Sequence, residues 1–122
     1  MTRFKSQGFN NTFKNARKGF RLVLKSEMNI RIHLIMASLV LIFGYLLDFS
    51  VIEFCIILFA IAIVIVSEML NTAIEFTLDS IYHNKYSRMV GMAKDISAGA
   101  VMFASFIAVA IGVLIFSKHF FQ

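Results

Sequence analysis

The sequence has no proline and no tryptophan, and its single cysteine, Cys55, sits inside an apolar run. One cysteine excludes a disulfide framework within the chain, and with no Cys or His at metal spacing around it a zinc site cannot be built there. Cys55 therefore reads as a packing residue. His33, His83 and His119 are isolated from one another, so no histidine pair supports metal chemistry. No glycine-rich loop ends in Gly-Lys-Ser or Gly-Lys-Thr, which excludes a P-loop, and protein-kinase signatures and a Gly-x-Ser-x-Gly elbow are equally missing. Acidic residues are scarce, 7 against 12 Lys and Arg. No repeat and no Pro-, Ser- or Gly-rich stretch marks a linker, so the chain reads as one domain over 1–122.

Apolar side chains fill the space these absences leave. Of the 122 residues 59% are hydrophobic, 14 of them Phe, and the mean hydropathy is +0.80, too apolar for a soluble domain of this length. Spanning a bilayer takes about 20 mostly apolar residues, and the segments at about 32–49, 51–79 and 94–117 meet that requirement. The clearest, Ile96 to Phe116, carries no charge. The first is preceded by about thirty basic and polar residues, unlike a cleaved signal peptide. Within them Phe9, Phe13, Ala16, Phe20 and Val23 or Leu24 recur at three- and four-residue spacing, with Lys14, Arg17, Lys18 and Arg21 between. This pattern predicts a basic amphipathic helix over about 5–26 lying on an anionic membrane surface. Its charges either anchor the chain and set its topology, or also hold a phosphate-bearing substrate. The expected fold is all-α and integral to the membrane, a surface helix followed by three transmembrane helices.

Charge sets the expected orientation. Arg3, Lys5, Lys14, Arg17, Lys18, Arg21, Lys25 and Arg31 precede the first span, and Lys85, Arg88 and Lys94 separate the second from the third. The segment joining the first two has no basic residue, and Lys118 alone lies beyond the third. The positive-inside rule then puts the N-terminus and second loop in the cytoplasm and the C-terminus outside.

The second span runs directly into Ser67-Glu-Met-Leu-Asn-Thr-Ala-Ile-Glu-Phe-Thr-Leu-Asp79, at its expected cytoplasmic end. On a helix of about 100° per residue, Asn71 falls about 60° to one side of Glu68, Thr72 about 40° to the other, and Glu75 and Asp79 return to within about 20°. All five share a face. Ionisable groups at membrane depth cost roughly 2.5–3.5 kcal/mol each on insertion scales and mark functional sites. Asp79 reads as a helix-exit residue, whereas Glu68, Asn71 and Glu75 form a candidate site. A carboxylate row needs cations. One source is a hard divalent ion such as Mg²⁺, which takes carboxylate and phosphate oxygens; the other is the basic set Lys94, Arg88, Lys85 and the N-terminal arm, with Lys94 and Asp95 expected at the same depth as the acidic face. Asp95 is either part of that pocket or a cap at the start of the third span. A small proton-coupled transporter using Glu68 or Glu75 is the non-enzyme alternative. The clustering of polar groups at one end, and the Ala100, Ala104, Ala108, Gly112 ridge suited to close helix packing, weigh against it.

Glu68-Met-Leu-Asn71-Thr-Ala-Ile-Glu75, followed by Asp79 and by Ala93-Lys94-Asp95-Ile-Ser-Ala-Gly-Ala-Val, resembles the signature of the prokaryotic diacylglycerol kinase family of small membrane lipid kinases. The likeness covers essentially the whole chain, with Lys18-Gly19-Phe20-Arg21 and Glu27 before the first span. It implies a homotrimer in the bacterial plasma membrane that transfers the γ-phosphate of ATP to a lipid hydroxyl at the cytoplasmic interface. It also implies that Glu68 is the general base, that Glu27 and Glu75 hold Mg²⁺ with the nucleotide, and that Asn71, Lys94 and Asp95 complete the ATP site. The arm Asn10-Asn-Thr-Phe-Lys14 departs from the enterobacterial pattern, and its nucleotide contacts are left unassigned, as are those of the loop from Ser80 to Met92. Glu27-Met-Asn-Ile-Arg-Ile-His33 resembles the Gram-positive branch, associated with undecaprenol, so undecaprenol is the expected acceptor and diacylglycerol the alternative. The expected partners are ATP, the lipid and the membrane, and not nucleic acid.

Overall fold

Glu27 has an extended backbone, φ −119° and ψ 114°, and there the basic amphipathic pattern gives way to a continuously apolar one. In the computed structural model, which describes residues 8–121, this residue separates the first two of four helices. They are α1 (Phe9–Ser26), α2 (Met28–Leu46), α3 (Val51–Tyr82) and α4 (Arg88–Phe120). Residues 5–7 of the expected surface helix lie outside the described residues. Phe9 and Phe13 stay exposed on α1, as a face meant for a lipid surface would. At its other end Val23 is buried with Ile30 of α2 and Ile65 of α3, which anchors α1 to the bundle.

α2, α3 and α4 are each long and apolar enough to cross a membrane; the chain is a multi-pass membrane protein. α2 begins four residues before the expected 32 and stops at Leu46 instead of about 49, because Asp48 turns the chain in a left-handed conformation, φ 58°. Phe49 then folds back into the bundle. Its ring packs against Phe54, Phe116 and His119 at centroid distances of 5.7, 5.0 and 4.7 Å. Gly44 permits this approach, since a Cβ there would lie 2.7 Å from Phe49 Cδ2. α3 starts in a capping box: the Glu53 amide donates to Ser50 Oγ at 3.2 Å and the Ser50 amide to Glu53 Oε1 at 2.9 Å.

With 32 residues, α3 is ~48 Å long against a hydrocarbon layer of ~30 Å, so roughly its last three turns extend past the apolar zone. Its C-terminus closes at His83 and Asn84, both left-handed, and a connection of residues 83–87 leads into α4. The Val90 amide donates to Ser87 Oγ at 3.2 Å, capping α4 two turns earlier than the expected start at about 94. Asp95 is therefore inside the helix, and the capping role considered for it does not apply. α3 and α4 pack antiparallel along their length, and α2 lies against α3. Of the small-residue ridge only Ala104 is buried. Phe59, Phe103, Phe106 and Leu114 point away from the bundle, exposed by about two thirds each, an apolar surface that suits lipid or another subunit.

Candidate active site at one end of the bundle

The acidic stretch occupies the last four turns of α3, where α2 flanks it on one side and α4 on the other. Glu68 faces α2. It is 3% exposed, and His33 Nε2 stands 3.3 Å from its Oε1. The His33 side chain is itself 30% exposed, so the imidazole lies between a buried carboxylate and the outside. One turn on, Thr72 is 2% exposed and its hydroxyl has no hydrogen-bond partner among the described residues. An orphan buried hydroxyl is unusual in a folded protein and points to a water or ligand partner.

The other side of the row faces α4. Ser97 donates its hydroxyl proton to Asn71 Oδ1 at 2.6 Å, and its oxygen also lies 3.1 Å from the Lys94 carbonyl. With Oδ1 engaged, the two Asn71 N–H donors are left for another acceptor. Lys94 Nζ bonds Asp79 Oδ1 at 2.7 Å. Asp79, expected to be only a helix-exit residue, thus holds the lysine of the candidate site. Ser97, inside the quoted motif, carried no assigned role; its Asn71 contact joins positions 26 apart in sequence, which helical spacing cannot reveal.

Glu27 and Glu75 are half-buried and Asp95 is exposed. None of the three side chains has a hydrogen bond or ion pair among the described residues. Nor do the described residues contain a group of three or more His, Cys, Asp or Glu able to hold a metal ion by themselves. Mg²⁺ asks for less. It usually takes one or two carboxylates from the protein, substrate phosphates and water, and Glu27 and Glu75 are uncompensated oxygen donors of that type.

Two further features were not anticipated. An apolar groove of about 560 Å³ opens between α2, α3 and α4, lined by residues such as Met36, Val40, Ile61 and Val109, and His33 is the one titratable side chain on its wall. At the far end of the bundle Glu53 is buried, with His119 Nε2 at 3.0 and 3.1 Å from its two oxygens and Lys118 Nζ at 3.4 Å from Oε2. Its 15-residue separation from Glu68 on α3 is ~22 Å, with no charged residue between. The polar chemistry is thus confined to the two ends, which disfavours a conducting path.

Comparison with known proteins places the chain among small membrane lipid kinases. Residues 14–116 match the family model described as prokaryotic diacylglycerol kinase. The chain is 40% identical over 108 residues to an undecaprenol kinase of Bacillus subtilis, covering 88% of this chain and 87% of that protein. It is 31% identical over 101 residues to a diacylglycerol kinase of Synechocystis, covering 83% and 58%. With the diacylglycerol kinase of Escherichia coli it shares 29% over 103 residues, 84% of each chain.

Proposed function

The chain belongs to the prokaryotic diacylglycerol kinase family of membrane lipid kinases, and we propose that the lipid to which it transfers the γ-phosphate of ATP is undecaprenol. The observation that carries the chemistry is the position of Glu68, a buried carboxylate 3.3 Å from His33, which lines the wall of an apolar groove. A lipid chain in the membrane brings its hydroxyl to such a place without entering water. Glu68 takes the hydroxyl proton, the lipid oxygen bonds the γ-phosphorus, and the bond from that phosphorus to the bridging oxygen of ADP breaks. Phosphoryl transfer of this kind rests on positioning and charge neutralisation. Lys94, once released from Asp79, and the free Asn71 amide donors supply part of both, and Asp95 completes the nucleotide side. Glu27 and Glu75 would hold Mg²⁺, which when bound neutralises phosphate charge.

Undecaprenol is favoured over diacylglycerol because identity to the undecaprenol kinase is higher and extends over most of both chains. A homotrimer with the site on the cytoplasmic side completes the proposal. It is supported by the excess of basic residues around that end and by the apolar surface a single chain leaves uncovered. The test is an assay of purified protein with labelled ATP, presenting undecaprenol and diacylglycerol side by side. Preferential labelling of undecaprenol, abolished by Glu68→Gln while ATP binding persists, is expected. Preference for diacylglycerol refutes the acceptor assignment, and wild-type turnover in Glu68→Gln refutes the base.

A further inference from the structure

A base buried to 3% exposure needs something to aim it, because an isolated carboxylate rotates freely about its last bond and its charge is costly in a low-dielectric setting. Among the described residues no lysine or arginine meets Glu68. The polar side chain that reaches it comes from α2, with His33 Nε2 3.3 Å from Oε1. We propose that His33 is a positioning residue for the transfer reaction, its Nε2–H directing the Glu68 carboxylate toward the acceptor hydroxyl.

Three observations bear on this. First, the two side chains come from different helices, so the contact sets how α2 and α3 meet at the site and is not local to either. Second, at 3.3 Å the two groups stand at ion-pair distance without a formed hydrogen bond, and catalytic contacts are often long or poorly aligned before substrate is bound. Third, His33 lines the apolar groove, so a hydroxyl on a chain lying there passes the imidazole on its way to Glu68. Once His33 Nε2–H turns onto Oε1, Oε2 is left to accept the substrate proton. Thr72, one turn along α3 with its unpartnered buried hydroxyl, borders the same corner.

The inference rests on the lipid kinase reading of Glu68, and steady-state kinetics of the full-length protein in detergent micelles, with ATP, Mg²⁺ and either undecaprenol or diacylglycerol, separate the two. Wild type that transfers to no lipid refutes the underlying reading; wild type and His33→Ala that transfer equally refute only the role of His33. Misplacing a reacting group by about 1 Å costs on the order of 100-fold. His33→Ala is therefore expected to lower kcat by about 10- to 100-fold with KM for ATP within about threefold. His33→Gln, whose amide N–H can replace the ring donor, should recover much of that loss, and imidazole added to His33→Ala should do the same through the groove. A loss equal in Ala and Gln variants and unmoved by imidazole overturns the proposal. Where the variants do not assemble, the ring ¹⁵N resonances of His33 are compared between wild type and Glu68→Gln. A shifted Nε2 signal supports the contact and an unchanged one overturns it.

Discussion

Lys94 Nζ and Asp79 Oδ1 meet at 2.7 Å across the α3–α4 hairpin, each side chain more than one third exposed. A lysine that is to reach a nucleotide phosphate has to leave this pair. Exposed pairs contribute about 0–1 kcal/mol, so the restraint on ATP binding amounts to about fivefold at most. Asp79→Asn is expected to leave kcat within about twofold of wild type and to tighten ATP binding by up to about fivefold. Lys94→Met should weaken it by more than about tenfold, because a charge-assisted phosphate contact is lost. Isothermal titration with a non-hydrolysable ATP analogue measures both.

Asn71 is held by Ser97 through a 2.6 Å hydrogen bond, which turns its amide donors away from α4. A hydrogen bond of this kind is typically worth about 0.5–1.5 kcal/mol, and Ser97→Ala frees the amide to rotate. The expected result is a loss of kcat/KM of about three- to tenfold, with a fall in melting temperature of no more than a few degrees. An activity equal to wild type would show that the Asn71 orientation is immaterial.

Glu27 and Glu75 have no partner of their own among the described residues, so their charge is available to a cation. Glu75→Gln should raise the Mg²⁺ concentration needed for half-maximal activity, and Glu27→Gln should do likewise, with restoration at high Mg²⁺. Chelation by EDTA should abolish transfer by the wild type. A Mg²⁺ titration curve that neither substitution moves would exclude both carboxylates as ligands.

These predictions draw unequally on sequence and structure. Three apolar runs and the charge bias made the helical membrane fold legible, because lipid demands length and hydrophobicity that few other contexts do. The alignment of Glu68, Asn71 and Glu75 on one helix face followed from period alone. What that face meets did not: Glu68 turns to His33 of α2, while Asn71 and Asp79 turn to α4, and contacts between helices leave no periodic trace. His33 read as an isolated histidine for that reason. The early start of α4 was hidden because Ser87 and Arg88 are polar, and a hydropathy reading locates the membrane zone, not the helix that protrudes from it.

At the far end, Glu53 ties α3 to α4 through His119 and Lys118 and also caps α3 through Ser50. Glu53→Ala removes the side-chain half of the capping box, while its amide still donates to Ser50 Oγ, and leaves the buried side of His119 without its partner. A lower melting temperature is expected, together with an unchanged KM for ATP, since Glu68 is ~22 Å distant along α3. A changed KM for ATP would mean that the two ends are coupled.

Gly44 and Gly19 make opposite predictions from the same substitution. At Gly44 a Cβ would sit 2.7 Å from Phe49 Cδ2 and 3.2 Å from Phe54 Cε1, and the Phe49 ring is already held by Phe116 and His119. Relief requires repacking the turn between α2 and α3, an overpacking cost of about 1–3 kcal/mol. At Gly19, in the middle of α1, nothing lies within 4 Å of the new atom, and alanine favours a helix by up to about 1 kcal/mol over glycine. Gly44→Ala should therefore lower the melting temperature of the detergent-solubilised protein, and Gly19→Ala should hold or raise it. Equal behaviour of the two variants would mean that the Phe49 fold-back does not form the close contact with α2 that fixes the first turn.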